Sequence, residues 1–238
     1  MVILFNFINF IGLHLFFLFL LILIVFFTFK RNINLLGKQS IFQIGVVIWL
    51  FLGLLASRPH LGIRVQEFAL LGLSILLWLF SLHKKENFRN YFWYLPLIFF
   101  FWANIHGSFI LGLFLLVAYC FYIFISPFFK YLDHWQLFKI DNFNNKFKKQ
   151  LLIITTLSFL ATLINPYGLG LYSFLGTYTN TIYMSYIREW QSQFVFPLFY
   201  LQIFYLALAI VALFLLIKDR KINLLSWWDF FLFIFFYL

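Results

Sequence analysis

Ten polar residues in this 238-residue chain have the types and positions to do chemistry, and they fall in three stretches. Arg58, His60, Arg64 and Glu67 lie in "SRPHLGIRVQE" (Ser57 to Glu67), and Asn104 and His106 in "WANIHG" (Trp102 to Gly107). Asn165, Tyr167, Arg188 and Glu189 lie in the region running from "NPYGLGLYS" to "YIREWQ" (Asn165 to Gln191). Arginines hold a phosphate through paired N–H donors or as a charge pair. Glu67, Glu189, His60 and His106 are the groups in these stretches that can take or give a proton. Asn104, Asn165 and Tyr167 stand with the arginines and His60 as the candidate substrate-binding set.

Each of these residues also has a plainer explanation. An arginine near a membrane surface snorkels to headgroups, and Pro59 ends a helix because the residue before proline leaves the α region. Asn165-Pro166 followed by Gly168 and Gly170 is turn punctuation. Two histidines in separate loops lack metal-ligand spacing, so no cofactor is identifiable and a divalent metal is left open.

The elements that must position these groups are set by composition. Hydrophobic residues make up 65% of the chain, charged residues 10%, and mean hydropathy is +0.98. Soluble domains carry about 25% charged residues, so a soluble globular domain is excluded. The net charge of +10 comes from short basic clusters between apolar runs, the pattern of membrane loops, and nucleic-acid binding drops out. Cys120 is the one cysteine, which excludes an intrachain disulfide and a thiolate metal site. The N-terminal apolar run has no basic lead and no small-residue cleavage site, so it is expected to be a retained span.

Apolar runs predict spans near Ile8 to Phe29, Ile41 to Ala56, Gln66 to Leu82, Tyr91 to Trp102, Ser108 to Ser126, Leu151 to Ile164, Val195 to Ile217 and Ile222 to Leu238. Long unbroken runs without alternation exclude a barrel. The expected fold is an all-α polytopic transmembrane helix bundle of about eight spans with short interfacial helices, a single domain over residues 1–238. The fourth span offers only about 20 Å of helix against a core of about 30 Å, so it is expected to be a short crossing helix ending in a recess.

Fourteen of the seventeen basic residues lie in the odd-numbered connections, leaving Arg58, Arg64 and Arg188 in the even ones. The positive-inside rule then puts the odd connections in the cytoplasm. All three polar stretches collect on the extracytoplasmic face of a multi-pass protein of the cell's inner membrane, with Asn104 and His106 lining the recess. Tyr167, Tyr172, Tyr178, Tyr183, Tyr186 and Trp190 recur through a segment too polar to span, as expected of one lying in the interface.

The order "RPH", "WANIHGSFILGL", "LINPYGLGLY" and "IREWQ" resembles bacterial polytopic proteins of the GT-C glycosyltransferase type, related to dolichyl-phosphate-mannose protein mannosyltransferases and lipopolysaccharide-modifying transferases. The resemblance covers Ser57 to Gln191. It implies transfer of a sugar from a polyprenyl-phosphate-linked donor on the extracytoplasmic face, with an acidic residue of the first extracytoplasmic loop as base or metal ligand. Arg58, Arg64 and Arg188 would clamp the phosphate, and Glu67 or Glu189 would orient the acceptor hydroxyl. The lipid-linked donor and membrane lipids are the expected partners. Met1 to Gln66 contains no Asp or Glu, and the sequence stops inside an apolar run; a fragment of a longer enzyme, truncated at both ends, is the expectation. A transporter, flippase or polymer-export protein for lipid-linked saccharides is the alternative. It calls for inverted repeats and ionisable residues along several spans, whereas the spans carry little beyond His14 and Asp229. A scaffold with interface anchors is the third reading.

Overall fold

Unbroken apolar runs must satisfy their backbone hydrogen bonds within themselves, which makes helices of them. In a computed structural model of the chain, the described residues are 2–36, 63–82, 86–132 and 143–178, with isolated positions within 47–54 and at 210, 228, 231 and 232. Among them there are helices and turns and no strand. Helix α1 is Val2–Leu36 and α2 is Gln66–Ser81. A 3-10 helix, Glu86–Tyr94, leads directly into α3, Leu95–Ile105, which has a proline in its first turn where no N–H is missed. Then come α4 (Phe109–Leu132), α5 (Asn145–Thr162) and α6 (Gly170–Tyr178). Asn144 caps α5 by accepting the Phe147 N–H at 2.8 Å.

Pairs of contacts fix the helix directions. Gln150 Nε2 donates to the Arg89 carbonyl at 3.3 Å, and a similar distance along both chains Asn104 Nδ2 donates to the Ile164 carbonyl at 2.9 Å. The segment ending in α3 therefore runs parallel to α5. Their buried residues, Phe92, Leu95, Phe99 and Ala103 on one and Phe147, Leu151, Ile154, Ser158 and Ala161 on the other, recur every three or four residues, the spacing of a helix seam. Phe80 stacks on Tyr119 at 4.1 Å near the level of Phe92, while Gly72 and Gly112 meet Trp102 at the far end of α3. Helices α2 and α4 thus run opposite to α3 and α5. Helix α1 runs with α2, since Phe17 meets Phe68, Phe27 meets Trp78 and Asn34 donates to Ser81 at 3.2 Å.

Two distinct ends result. Lys30, Arg31, Arg89, Lys146, Lys148 and Lys149 stand at one, where the Arg89 guanidinium lies 4.8 Å from the Phe147 ring and the Lys148 ammonium 5.9 Å from that of Phe124. Arg64, which precedes α2, stands at the other. The fourth predicted span is longer than its apolar run. Nine residues of 3-10 helix and eleven of α-helix give a path of about 34 Å at rises of about 2.0 and 1.5 Å per residue. The polar residues "ENFRN" hide its beginning from a hydropathy reading.

Helix α4 is central, with Phe109, Leu115, Leu116, Tyr119 and Ile123 fully buried. Helix α1 buries Leu13, Phe17 and Leu20 and leaves Phe10, Ile11, Leu15, Leu18, Phe19, Ile22 and Phe26 exposed. Large exposed apolar faces of this kind mark surfaces that meet a membrane or a partner. Phe10–Leu35 and Phe109–Phe128 are each long and apolar enough to cross a membrane, and Gln66–Ser81 is a shorter apolar helix. Most of the predicted span Ile41 to Ala56, and nearly all of Val195 to Ile217 and Ile222 to Leu238, lie outside the described residues.

Candidate functional site

The end opposite the basic cluster gathers the start of α2, the turn between α3 and α4, and the turn between α5 and α6. Trp102 is its keystone. A Cβ added to Gly72 would come within 2.7 Å of the indole, and one added to Gly112 within 2.4 Å, so α2 and α4 both press against this side chain where only glycine fits. The indole N–H donates to Ser108 Oγ at 3.0 Å. Ser108 in turn meets His106 Nδ1 twice, through its hydroxyl at 2.7 Å and its backbone N–H at 3.1 Å. Burial holds the pKa of His106 below its ordinary value by penalising the charged ring.

The neighbouring turn is tied to this one. Besides donating to Ile164, Asn104 donates to the Phe100 carbonyl of its own helix at 2.8 Å. Asn165 donates to the Thr162 and Gly168 carbonyls and accepts the Tyr167 N–H at 2.7 Å, closing the end of α5. Gly168 sits at φ 51°, the left-handed region that glycine enters without penalty. The turn, with Leu169 exposed, returns the chain as α6, which lays Leu171, Tyr172 and Leu175 on the core and leaves Phe174 exposed. Tyr172 meets Phe109 edge-on, and its hydroxyl bonds to Thr162. Leu175 covers Gly107.

Of the predicted site residues, Arg64, Glu67, Asn104, His106, Asn165 and Tyr167 share this end. Glu67 is 2% exposed in the first turn of α2, where the helix N-terminus favours a carboxylate. Tyr167 is 75% exposed. The amide N–H groups of Asn104 and Asn165 bind backbone carbonyls, so both shape the floor of the site. Arg58, His60, Arg188 and Glu189 lie outside the described residues. Among the described residues no three His, Cys, Asp or Glu side chains cluster to hold a metal. Trp102, Ser108 and Tyr172 belong to the site although the motif reading did not single out the first two. The close sequence spacing of Trp102, His106 and Ser108 was their signal.

This end of the bundle holds a cation (Arg64), a half-buried imidazole (His106) and an exposed phenol (Tyr167), with the Glu67 carboxylate buried. That set can bind a phosphate and orient a hydroxyl. No family model, curated protein or solved structure matches the chain.

Proposed function

We propose that this chain is a multi-pass inner-membrane protein of about eight spans that transfers a sugar from a polyprenyl-phosphate-linked donor, with the site end of the bundle extracytoplasmic. One observation carries the reading: the helix directions bring the described parts of the three polar stretches, residues 63–67, 102–107 and 165–178, to one end and the described basic clusters to the other. A membrane protein so arranged keeps its Lys and Arg clusters in the cytoplasm. Arg64, with Arg58 and Arg188, holds the donor phosphate and offsets charge as it leaves. Glu67 or Glu189 orients the acceptor hydroxyl, and the exposed apolar face of α6 lies along the interface where the prenyl chain enters.

Thiol labelling in a Cys120→Ala background tests the orientation. Tyr167→Cys and Ser173→Cys, both on exposed residues, should react with an impermeant maleimide from outside, and Lys146→Cys and Lys149→Cys only after permeabilisation. Outside labelling at Lys149 would place the basic end on the wrong face and end the proposal. In the oriented protein, Arg64→Ala should weaken polyprenyl-phosphate binding about tenfold, the size of one hydrogen bond to a charged group.

A further inference from the structure

Sequence places His106 among possible bases, but its hydrogen bonds give it another part. The Ser108 backbone N–H, 3.1 Å from Nδ1, can only donate, so Nδ1 must carry a lone pair. The Trp102 N–H, also donor-only, occupies one lone pair of Ser108 Oγ; because Nδ1 carries no proton, the 2.7 Å contact is made by the hydroxyl proton, which shares the Nδ1 lone pair with the backbone N–H. The hydrogen bonds of Trp102 and Ser108 therefore run in one direction, indole to hydroxyl to Nδ1. A neutral imidazole in this setting keeps its proton on Nε2. The relay is stiff because its first member is wedged between Gly72 and Gly112. Nε2 makes no hydrogen bond among the described residues, and the ring is half-buried rather than enclosed, which leaves its N–H for a ligand.

We propose that His106 is a tautomer-locked, uncharged donor whose Nε2–H binds a phosphate oxygen of the ligand; the choice of ligand rests on the transferase reading. Nε2 already holds a proton and Nδ1 faces the protein's own donors, so neither nitrogen is placed to abstract one from an acceptor. Burial supports this by keeping the ring neutral. The phosphate's charge is then met by arginine, while His106 contributes direction without adding a second positive charge.

The test uses the full chain in nanodiscs, with ¹⁵N-labelled histidine and His106→Gln to assign the resonance. At pH 7.5 the spectrum should show His106 Nδ1 unprotonated and Nε2 protonated; the opposite tautomer, or an exchange-averaged pair, would overturn the lock. Binding is read with farnesyl monophosphate, with farnesol and inorganic phosphate as comparison arms. Farnesol should not bind, and inorganic phosphate should compete, if phosphate is the group recognised. The Gln amide can place an N–H near the Nε2 position, so His106→Gln should stay within about threefold of the parent. Asn can replace only the Nδ1 acceptor, and His106→Asn should lose about tenfold, one charge-assisted hydrogen bond. Equal binding by His106→Asn and the parent would sink the donor role, provided both chains melt alike by intrinsic fluorescence. If the parent itself does not bind farnesyl monophosphate, the ligand assignment and the transferase reading fall together, whatever the spectrum says of the tautomer.

Discussion

At the scale of the residue, His106 also predicts a pH dependence. Its ring is held neutral by burial and by the two Ser108 donors on Nδ1. The unfolded chain, with an ordinary histidine pKa of about 6.5, takes up the proton before the folded chain does. Folded stability from this site is therefore full above that value and is lost as pH falls toward the lower folded pKa. Melting in detergent at pH 7.5 and pH 5.5 should show the parent dropping further than His106→Asn, whose Oδ1 can accept the Ser108 N–H without titrating. The other four histidines are common to both chains, so the difference between the two drops isolates this ring. Equal drops would mean that Ser108 does not hold the ring neutral. The asparagines teach a complementary lesson. Asn104 and Asn165 stand out in the sequence as polar groups in lipid-like surroundings, yet their amides each bridge two backbone carbonyls, which sequence cannot distinguish from ligand contact.

At the scale of the element, the glycines around Trp102 decide how tightly α2, α3 and α4 pack. An alanine at Gly112 would place its Cβ 2.4 to 2.6 Å from the indole rim and 3.3 Å from Phe99, and one at Gly72 would press on the same ring at 2.7 to 2.8 Å. Overpacking costs roughly 1–3 kcal/mol, against a gain of about 1 kcal/mol in helix propensity. Contacts this short put the cost near the top of that range, so Gly112→Ala should lose roughly 2 kcal/mol in a denaturant titration. Gly107→Ala meets only the end of the flexible Leu175 side chain and should change stability by less than about 0.5 kcal/mol. A Gly112→Ala chain as stable as the parent would show that the indole can leave its slot. The sequence made these helices legible, because long apolar runs have few alternatives in lipid. It did not reveal which glycine faces a tryptophan, since nothing in an apolar run marks the partner across a helix interface. The 3-10 lead-in to α3 escaped for a different reason: "ENFRN" is polar, yet it continues the helical path past the end of the hydrophobic signal.

At the scale of the whole molecule, the positions of lysines and arginines carried more of the architecture than hydropathy did. Basic clusters on alternate connections imply helices that alternate in direction, and α1, α2 and α4 do run against α3 and α5. Charge could foretell direction but not adjacency. That α3 lies along α5 depends on side-chain seams whose members all look alike in composition, and that pairing is what carries Asn104 and His106 to the turn at Asn165. Cysteine pairs read it directly. In the Cys120→Ala background, Asn104→Cys with Ile164→Cys and Arg89→Cys with Gln150→Cys should each cross-link through a short thiol reagent, because each pair is joined by a hydrogen bond. Asn104→Cys with Gln150→Cys should not, since fourteen residues of helical path, about 21 Å, separate Gln150 from Ile164. Cross-linking of the mixed pair in place of the matched ones would make α3 and α5 antiparallel. The turns bearing Asn104 and Asn165 would then lie at opposite ends, and no single site could include both.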